Sequence, residues 1–127
     1  MKKILLAFAL FIGLAVNAQT VVKNVDAVTF KKMIAEKKGV LIDLRTTEEI
    51  ERKGMIKGAV QIDYLAKDSE KEIAKLDKKK TYLIYCAGGG RSGECAELMT
   101  KLGFKDVVNL EKGYGEWLQK GFESTKK

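Results

Sequence analysis

The 127-residue chain has no histidine, no proline and only two cysteines, Cys86 and Cys95. Without histidine no Cys–His pair can generate a thiolate, and the commonest zinc ligand is missing, so no metal and no cofactor is expected. Without proline, internal repeats or low-complexity tracts, nothing marks a linker between domains. Aromatic residues are sparse at 8%, and they do not interleave with the basic ones. The formal net charge of +7 therefore reads as a solvated basic surface, with runs such as Lys78-Lys79-Lys80 at chain turns, and nucleic acid is not an expected partner.

A long apolar run occurs only at the N-terminus. Lys2 and Lys3 precede the run from Ile4 to Val16, and Val16-Asn17-Ala18 has the small residues of a cleavage site. This is the pattern of a secretory signal peptide over residues 1–18. The run is thirteen residues long, short of the roughly 20 a spanning helix needs. No basic stop-transfer cluster follows it, and no cysteine stands beside the cut to carry lipid. The expectation is an exported bacterial protein, periplasmic or secreted, without a stable membrane anchor. Residues 19–127 then form a single domain.

Along that domain short apolar runs alternate with helical patterns. Thr20 to Val25 suits an edge strand, and Asp26 caps a helix through about Lys37 that Gly39 breaks. Val40-Leu41-Ile42 is a continuous apolar strand of the kind covered on both faces. Thr46 with Glu49 is a capping box for a short helix ending near Gly54, and Gly58 to Ile62 reads as a third strand. Ser69 with Glu72 has the form of a second capping box, for a helix carrying Ile73 and Leu76. Thr81 to Tyr85 is a strand, Ser92 to Leu102 a helix stopped by Gly103, Val107 to Leu110 a strand, and Gly113 to Lys120 a helix anchored by Trp117. The tail from Glu123 to Lys127 is expected to fray. Such alternation predicts an α/β fold, an open parallel sheet of about five strands with helices on both faces, and ligands bind such sheets at the carboxyl ends of the strands.

That end carries Cys86-Ala87-Gly88-Gly89-Gly90-Arg91-Ser92. Three glycines remove every Cβ from the middle of the loop, so successive N–H groups can converge near the sulfur. The following helix adds its unpaired N–H groups and the positive end of its dipole, and Arg91 adds a permanent charge. Together they favour a thiolate at Cys86. Cys95 shares an apolar helix face with Leu98, Met99 and Leu102, so its thiol is expected in the core while Cys86 opens to the loop, and no bridge joins them.

Cys-x-x-Gly-x-Arg-Ser after a strand resembles the active-site loop of the rhodanese-like sulfurtransferase family. The resemblance runs from about Asp26 to Gly121. Asp43-Leu44-Arg45 is similar to the family's Asp-x-Arg, Thr47-Glu48-Glu49-Ile50 to the acidic turn after it, Gly58-Ala59 to its Gly-Ala, and Asn109 to Trp117 to its closing Gly-and-Trp motif. Asp43 and Arg45 are expected to fix loops, and Trp117 to anchor the core. Two departures stand out. Met55 occupies the place of a family histidine, and Gly88 and Gly90 flank the one glycine, Gly89, that matches.

The resemblance implies a single-domain sulfurtransferase with Cys86 as nucleophile, Arg91 orienting the donor anion, and Ala87, Gly88, Gly89, Gly90, Arg91 and Ser92 as the anion-binding loop. Its partners would be a small sulfur-containing anion such as thiosulfate and a thiophilic acceptor, cyanide or a thiol, with a protein acceptor as a further candidate. A related cysteine phosphatase or arsenate reductase has five residues between its cysteine and arginine, whereas four separate Cys86 from Arg91. The same loop would also serve a non-enzymatic persulfide carrier or partner-binding module, and the two cysteines together a thiol-disulfide accessory.

Overall fold

The computed structural model describes residues 19–126; the signal peptide expected over residues 1–18 lies outside the described residues. The elements in chain order are β1 (Val21–Val25), α1 (Ala27–Ala35), β2 (Val40–Asp43), α2 (Thr47–Lys53), β3 (Val60–Gln61), α3 (Ser69–Ala74), β4 (Thr81–Tyr85), α4 (Gly90–Lys101), β5 (Asp106–Leu110) and α5 (Gly113–Gln119). The five strands form one sheet in the order β1-β5-β4-β2-β3, and every pairing is parallel. Among the described residues no helix is long and apolar enough to cross a membrane.

Side-chain alternation along β4 divides the interior in two. Tyr82, Ile84 and Cys86 face a cluster built with Ile73 of α3 and Cys95, Ala96 and Met99 of α4. Leu83 and Tyr85 face the opposite cluster, with Ala27 and Phe30 of α1 and Tyr114 and Trp117 of α5. Burying each such apolar side chain contributes roughly 1.5–3 kcal/mol. A one-residue slip of β4 would forfeit most of that and turn Cys86 to the wrong face, so the core sets where the cysteine emerges.

After β2 the chain moves outward to β3, and after β4 it moves the other way to β5. The crevice beyond the carboxyl ends of β2 and β4 is therefore the point where the strand order diverges, the place ligands occupy in open parallel sheets. Leu44 to Thr46 enter it from β2 and Cys86 to Gly89 from β4.

Several local expectations change. Ser69 does not cap α3: Asp68 is the N-cap residue, without a side-chain bond, because Glu72 N–H already donates to the Asp68 carbonyl and Ser69 is buried in the first turn. The third strand shrinks to two residues, Val60–Gln61. The tail is held as far as Thr125, whose N–H and C=O both bond Met55, and Trp117 Nε1 donates to the Glu123 carbonyl at 2.9 Å. Met55 is thus buttressed by the C-terminus.

Candidate active site

Cys86 follows the last residue of β4, and its Sγ receives the Gly89 N–H at 3.1 Å and the Ser92 N–H at 3.3 Å. The Ser92 hydroxyl lies 3.5 Å from the same sulfur and 3.3 Å from the Gly89 carbonyl. The loop therefore folds inward around one atom. The Gly88 N–H has no partner among the described residues, and the first-turn N–H groups at Gly90 and Arg91 have none inside the helix. The convergence expected of the glycine run is present. Cys86 opens to the loop, and it is shut off from solvent, only 1% exposed, because Ser92 and the start of α4 close over it. α4 begins at Gly90 rather than Ser92, since Gly89 takes the N-cap place in a left-handed conformation.

Only one glycine of the three is demanded by its surroundings. Gly89 has φ of 105°, and a Cβ there would collide with the Glu111 carbonyl. Gly113, at φ of 71°, approaches Ala87 just as closely. Between these contacts, Tyr114 N–H donates to the Cys86 carbonyl at 2.9 Å and Gly115 N–H to that of Ala87 at 3.1 Å. The turn into α5 thus pins the cysteine loop from outside. At Gly88 and Gly90 an added Cβ meets nothing.

Arg91 has a partner that sequence reasoning did not assign to it. Its Nη1 and Nη2 bond the two oxygens of Glu49 at 2.8 and 2.9 Å. Glu49 also receives the Thr46 N–H at 2.9 Å and caps α2 reciprocally with Thr46. One carboxylate therefore joins α2 to the cysteine loop. Arg91 still interacts electrostatically with Cys86, but its fork is occupied by Glu49. The capping-box pattern was the visible signal for Glu49; only the fold could place it against Arg91.

The Arg91 bonds, with the Thr46 N–H and the guanidinium charge adding, hold the Glu49 carboxyl down to about 2 against the opposing effect of burial. A depressed carboxyl stabilises the fold above its ordinary value of 4.5, and that contribution disappears as pH falls through the folded value. Native protein should therefore exceed Glu49→Gln in stability by about 1 kcal/mol at neutral pH, a partly exposed pair being screened by solvent. In urea titrations the gap should hold down to about pH 5, narrow below 4.5 and close near 2. A pH-independent gap would mean that Glu49 acts through packing alone.

Beneath the site lies the buried pair of Asp43 and Arg45. Arg45 Nε donates to Asp43 Oδ1 at 3.0 Å, and Arg45 Nη2 donates to Oδ2 at 2.8 Å and to the Gly54 carbonyl at 2.7 Å. Its guanidinium sits 4.0 Å from the centre of the Tyr114 ring, close enough for a favourable cation–π contact. These residues fix loops, as expected. Cys95 is buried in the α4 cluster, and both cysteines are free. Burial, with the nearby Cys86 adding, pushes the Cys95 thiol up to about 12, so it stays protonated and unreactive.

A cleft of about 200 Å³ opens beside the loop, walled by Arg45, Glu49, Arg52, Lys53, Ala87, Tyr114 and neighbouring residues of α5. Arg52 and Lys53 were not among the residues singled out from the sequence, where they read as an ordinary charged helix end.

The rhodanese-like domain pattern matches residues 26–120. A sulfurtransferase of Allochromatium vinosum is 31% identical over 79% of this chain and 92% of its own length. The crystal structure of a rhodanese-like domain protein from Staphylococcus aureus superposes with a TM-score of 0.67 at 31% identity, covering 82% of this chain and 99% of the other. A rhodanese-related protein from Thermoplasma volcanium gives a TM-score of 0.72 at 24% identity, covering 83% and 99% respectively.

Proposed function

The chain belongs to the rhodanese-like domain family, and from that membership we propose that it is a sulfurtransferase working through a persulfide on Cys86. The observation that carries the reading is the convergence of the Gly89 and Ser92 N–H groups on one sulfur atom, beside the Ser92 hydroxyl, which donates to the Gly89 carbonyl. Donors arranged in this way stabilise negative charge at Sγ without a general base.

In the first half-reaction the Cys86 thiolate attacks the outer sulfur of thiosulfate. An S–S bond forms to Cys86, the sulfur–sulfur bond of the donor breaks, and sulfite leaves with its electron pair. In the second, cyanide or a thiolate attacks the terminal sulfur, and Cys86 departs as thiolate. The free N–H of Gly88 and those at the start of α4 are placed to hold the charge on the terminal sulfur. Arg91, tethered by Glu49, acts by holding the loop in shape and by its field.

A loop of four residues closed on one atom suits sulfur better than a phosphoryl group, which brings three equatorial oxygens and needs more donors. The decisive assay is paired: thiosulfate-to-cyanide transfer against aryl phosphate hydrolysis. Repeated thiocyanate turnover with negligible phosphate release is expected. Hydrolysis without thiocyanate formation would install the phosphatase reading, and a single sulfur delivered per chain to an acceptor protein would favour the carrier.

The proposal extends to location: export, with removal of residues 1–18, leaving a chain that starts at Gln19. N-terminal sequencing of protein recovered outside the cytoplasm tests this, and a start at Met1 would overturn it.

A further inference from the structure

The basic residues, which along the sequence read as a solvated surface, gather at one end of the fold. In an all-parallel sheet every strand starts at the same end, here the one opposite Cys86. The turns at that end run together. Gly39 lies against the Thr81 carbonyl, Lys105 N–H donates to the Lys78 carbonyl at 2.9 Å, and Val21 N–H donates to the Lys105 carbonyl at 3.0 Å. The turns before β2, β4 and β5 are therefore side by side, about 4.8 Å from strand to strand, and they hold Lys37-Lys38, Lys78-Lys79-Lys80 and Lys105. Lys75, Lys101 and Lys120 end α3, α4 and α5 at the same end.

Only Glu36, Asp77 and Asp106 are acidic in these turns. Asp77 and Asp106 already accept bonds, from the Lys79 N–H at 2.9 Å and the Thr81 hydroxyl at 3.0 Å. Apart from Lys75, which pairs with Glu72, no lysine of this end forms an ion pair among the described residues. A lysine at the end of a helix complements its dipole, which accounts for Lys75, Lys101 and Lys120. Lys38, Lys80 and Lys105 lie past the helices, exposed and without a side-chain partner among the described residues.

The carboxyl end of the sheet carries no such excess. Arg45 and Arg91 are neutralised by Asp43 and Glu49, and in the turns that follow the strands Asp26, Asp63, Asp68 and Glu111 are set against Lys67 and Lys112. The domain is thus polarised, with its positive charge on the side away from the cysteine loop. The chain also joins the domain on that side: the Thr20 hydroxyl donates to the Phe104 carbonyl, in the turn that holds Lys105. Only Asn17, Ala18 and Gln19 separate Thr20 from the apolar run Ile4 to Val16. A bilayer that takes up the run is brought against the lysines.

We propose that the amino end of the sheet is a docking surface for an anionic lipid bilayer. The ammonium groups of Lys38, Lys80, Lys105 and their neighbours rest among the phosphate headgroups, the strands stand end-on, and the cysteine loop is held on the far side, toward solution. The contact is electrostatic and reversible, and it persists in a chain that has lost the apolar run. Nucleic acid would draw on arginine forks and stacking aromatic rings, and this end has neither an arginine nor an exposed aromatic residue.

The test uses the chain from Gln19, which holds every strand and helix and both halves of the core, so that the apolar run cannot carry the protein into lipid. It is sedimented with vesicles of equal parts phosphatidylcholine and phosphatidylglycerol at about 0.1 M salt. Each lysine near such a surface raises the partition coefficient about fivefold, so K38Q/K80Q/K105Q should bind about a hundredfold more weakly. The control K53Q/K67Q/K112Q has the same net charge, but its substitutions lie more than a Debye length of about 10 Å from the surface. It should stay within about twofold of the native protein. Binding should vanish on phosphatidylcholine alone and at about 1 M salt. Equal weakening of the two triple variants would reduce the effect to net charge and overturn the surface. So would binding to the neutral vesicles, or tighter binding to duplex DNA than to the anionic vesicles at the same salt.

Orientation is read separately. A gadolinium-chelating lipid in bicelles of the same composition should broaden the amide resonances of Lys38, Lys80 and Lys105 and spare those of Gly88 and Gly89. Uniform broadening, or the reverse pattern, would overturn the docked arrangement. Neither measurement involves the chemistry at Cys86.

Discussion

Cys86→Ser is expected to take up no sulfur from thiosulfate, and thiocyanate formation should fall by more than about three orders of magnitude, the scale seen when a catalytic nucleophile is removed. The hydroxyl is close in size and still accepts the N–H groups of Gly89 and Ser92, so the loop keeps its shape and the variant unfolds near the native midpoint. What is lost is an atom that is both a soft nucleophile and a good leaving group. Cys95→Ala is the contrasting case. Its thiol is held protonated by burial and packs among Ala96, Met99 and Phe104, so removing it costs about 1 kcal/mol of stability and leaves loading intact. Intact mass after thiosulfate should show a gain of about 32 Da, one sulfur atom, in native protein and Cys95→Ala but not in Cys86→Ser. A gain that maps to Cys95, or equal loss of transfer in both folded variants, would replace sulfur transfer with a two-cysteine redox reading.

The largest effect on stability is expected at Arg45→Met. Asp43 is fully buried, and the Arg45 side chain supplies three bonds to its carboxylate besides one to the Gly54 carbonyl. Taking away the guanidinium leaves a buried charge held by the Arg45 backbone N–H at 2.9 Å and the neighbouring Tyr85 hydroxyl. Breaking such a pair from one side costs about 3–5 kcal/mol, a large share of the roughly 5–15 kcal/mol that holds a domain of this size together. The midpoint should fall by about 15 °C or more. The double variant Asp43→Leu/Arg45→Met removes both charges, and it should recover at least half of that loss. Urea titrations of the two single variants and the double, read as a cycle, check this. A double variant no more stable than Arg45→Met alone would show that the guanidinium matters here by stacking on Tyr114 and bonding Gly54, not by neutralising Asp43.

The two sets of variants separate what could be read along the chain from what could not. The sheet, the helices and the emergence of Cys86 at the end of β4 were legible in the sequence because they rest on local signals: apolar runs, caps and a glycine-rich turn. The same holds for the burial of Cys95, which follows from its spacing to Leu98, Met99 and Leu102. Where local signals compete, the reading failed by a residue or two. Ser69 looked like a cap although Asp68 was available, and Gly89 began α4 ahead of Ser92. The tail seemed free because nothing in Glu123 to Thr125 announces pairing with Met55.

The partners of Arg91 and the company of Arg52 and Lys53 were out of reach for a different reason. Glu49 and Arg91 lie 42 residues apart, and an ion pair across such a distance is set only when β2 and β4 lie side by side and bring α2 against the start of α4. By itself the sequence determined the cysteine at the end of β4, the N–H cradle around it and the fold that carries them, since each is encoded within a few consecutive residues. The tertiary structure alone decided that Cys86 is shut behind Ser92, that Arg91 is bound to Glu49 and that the cleft beside them is charged by the end of α2, because packing, not sequence neighbourhood, chooses which charges meet.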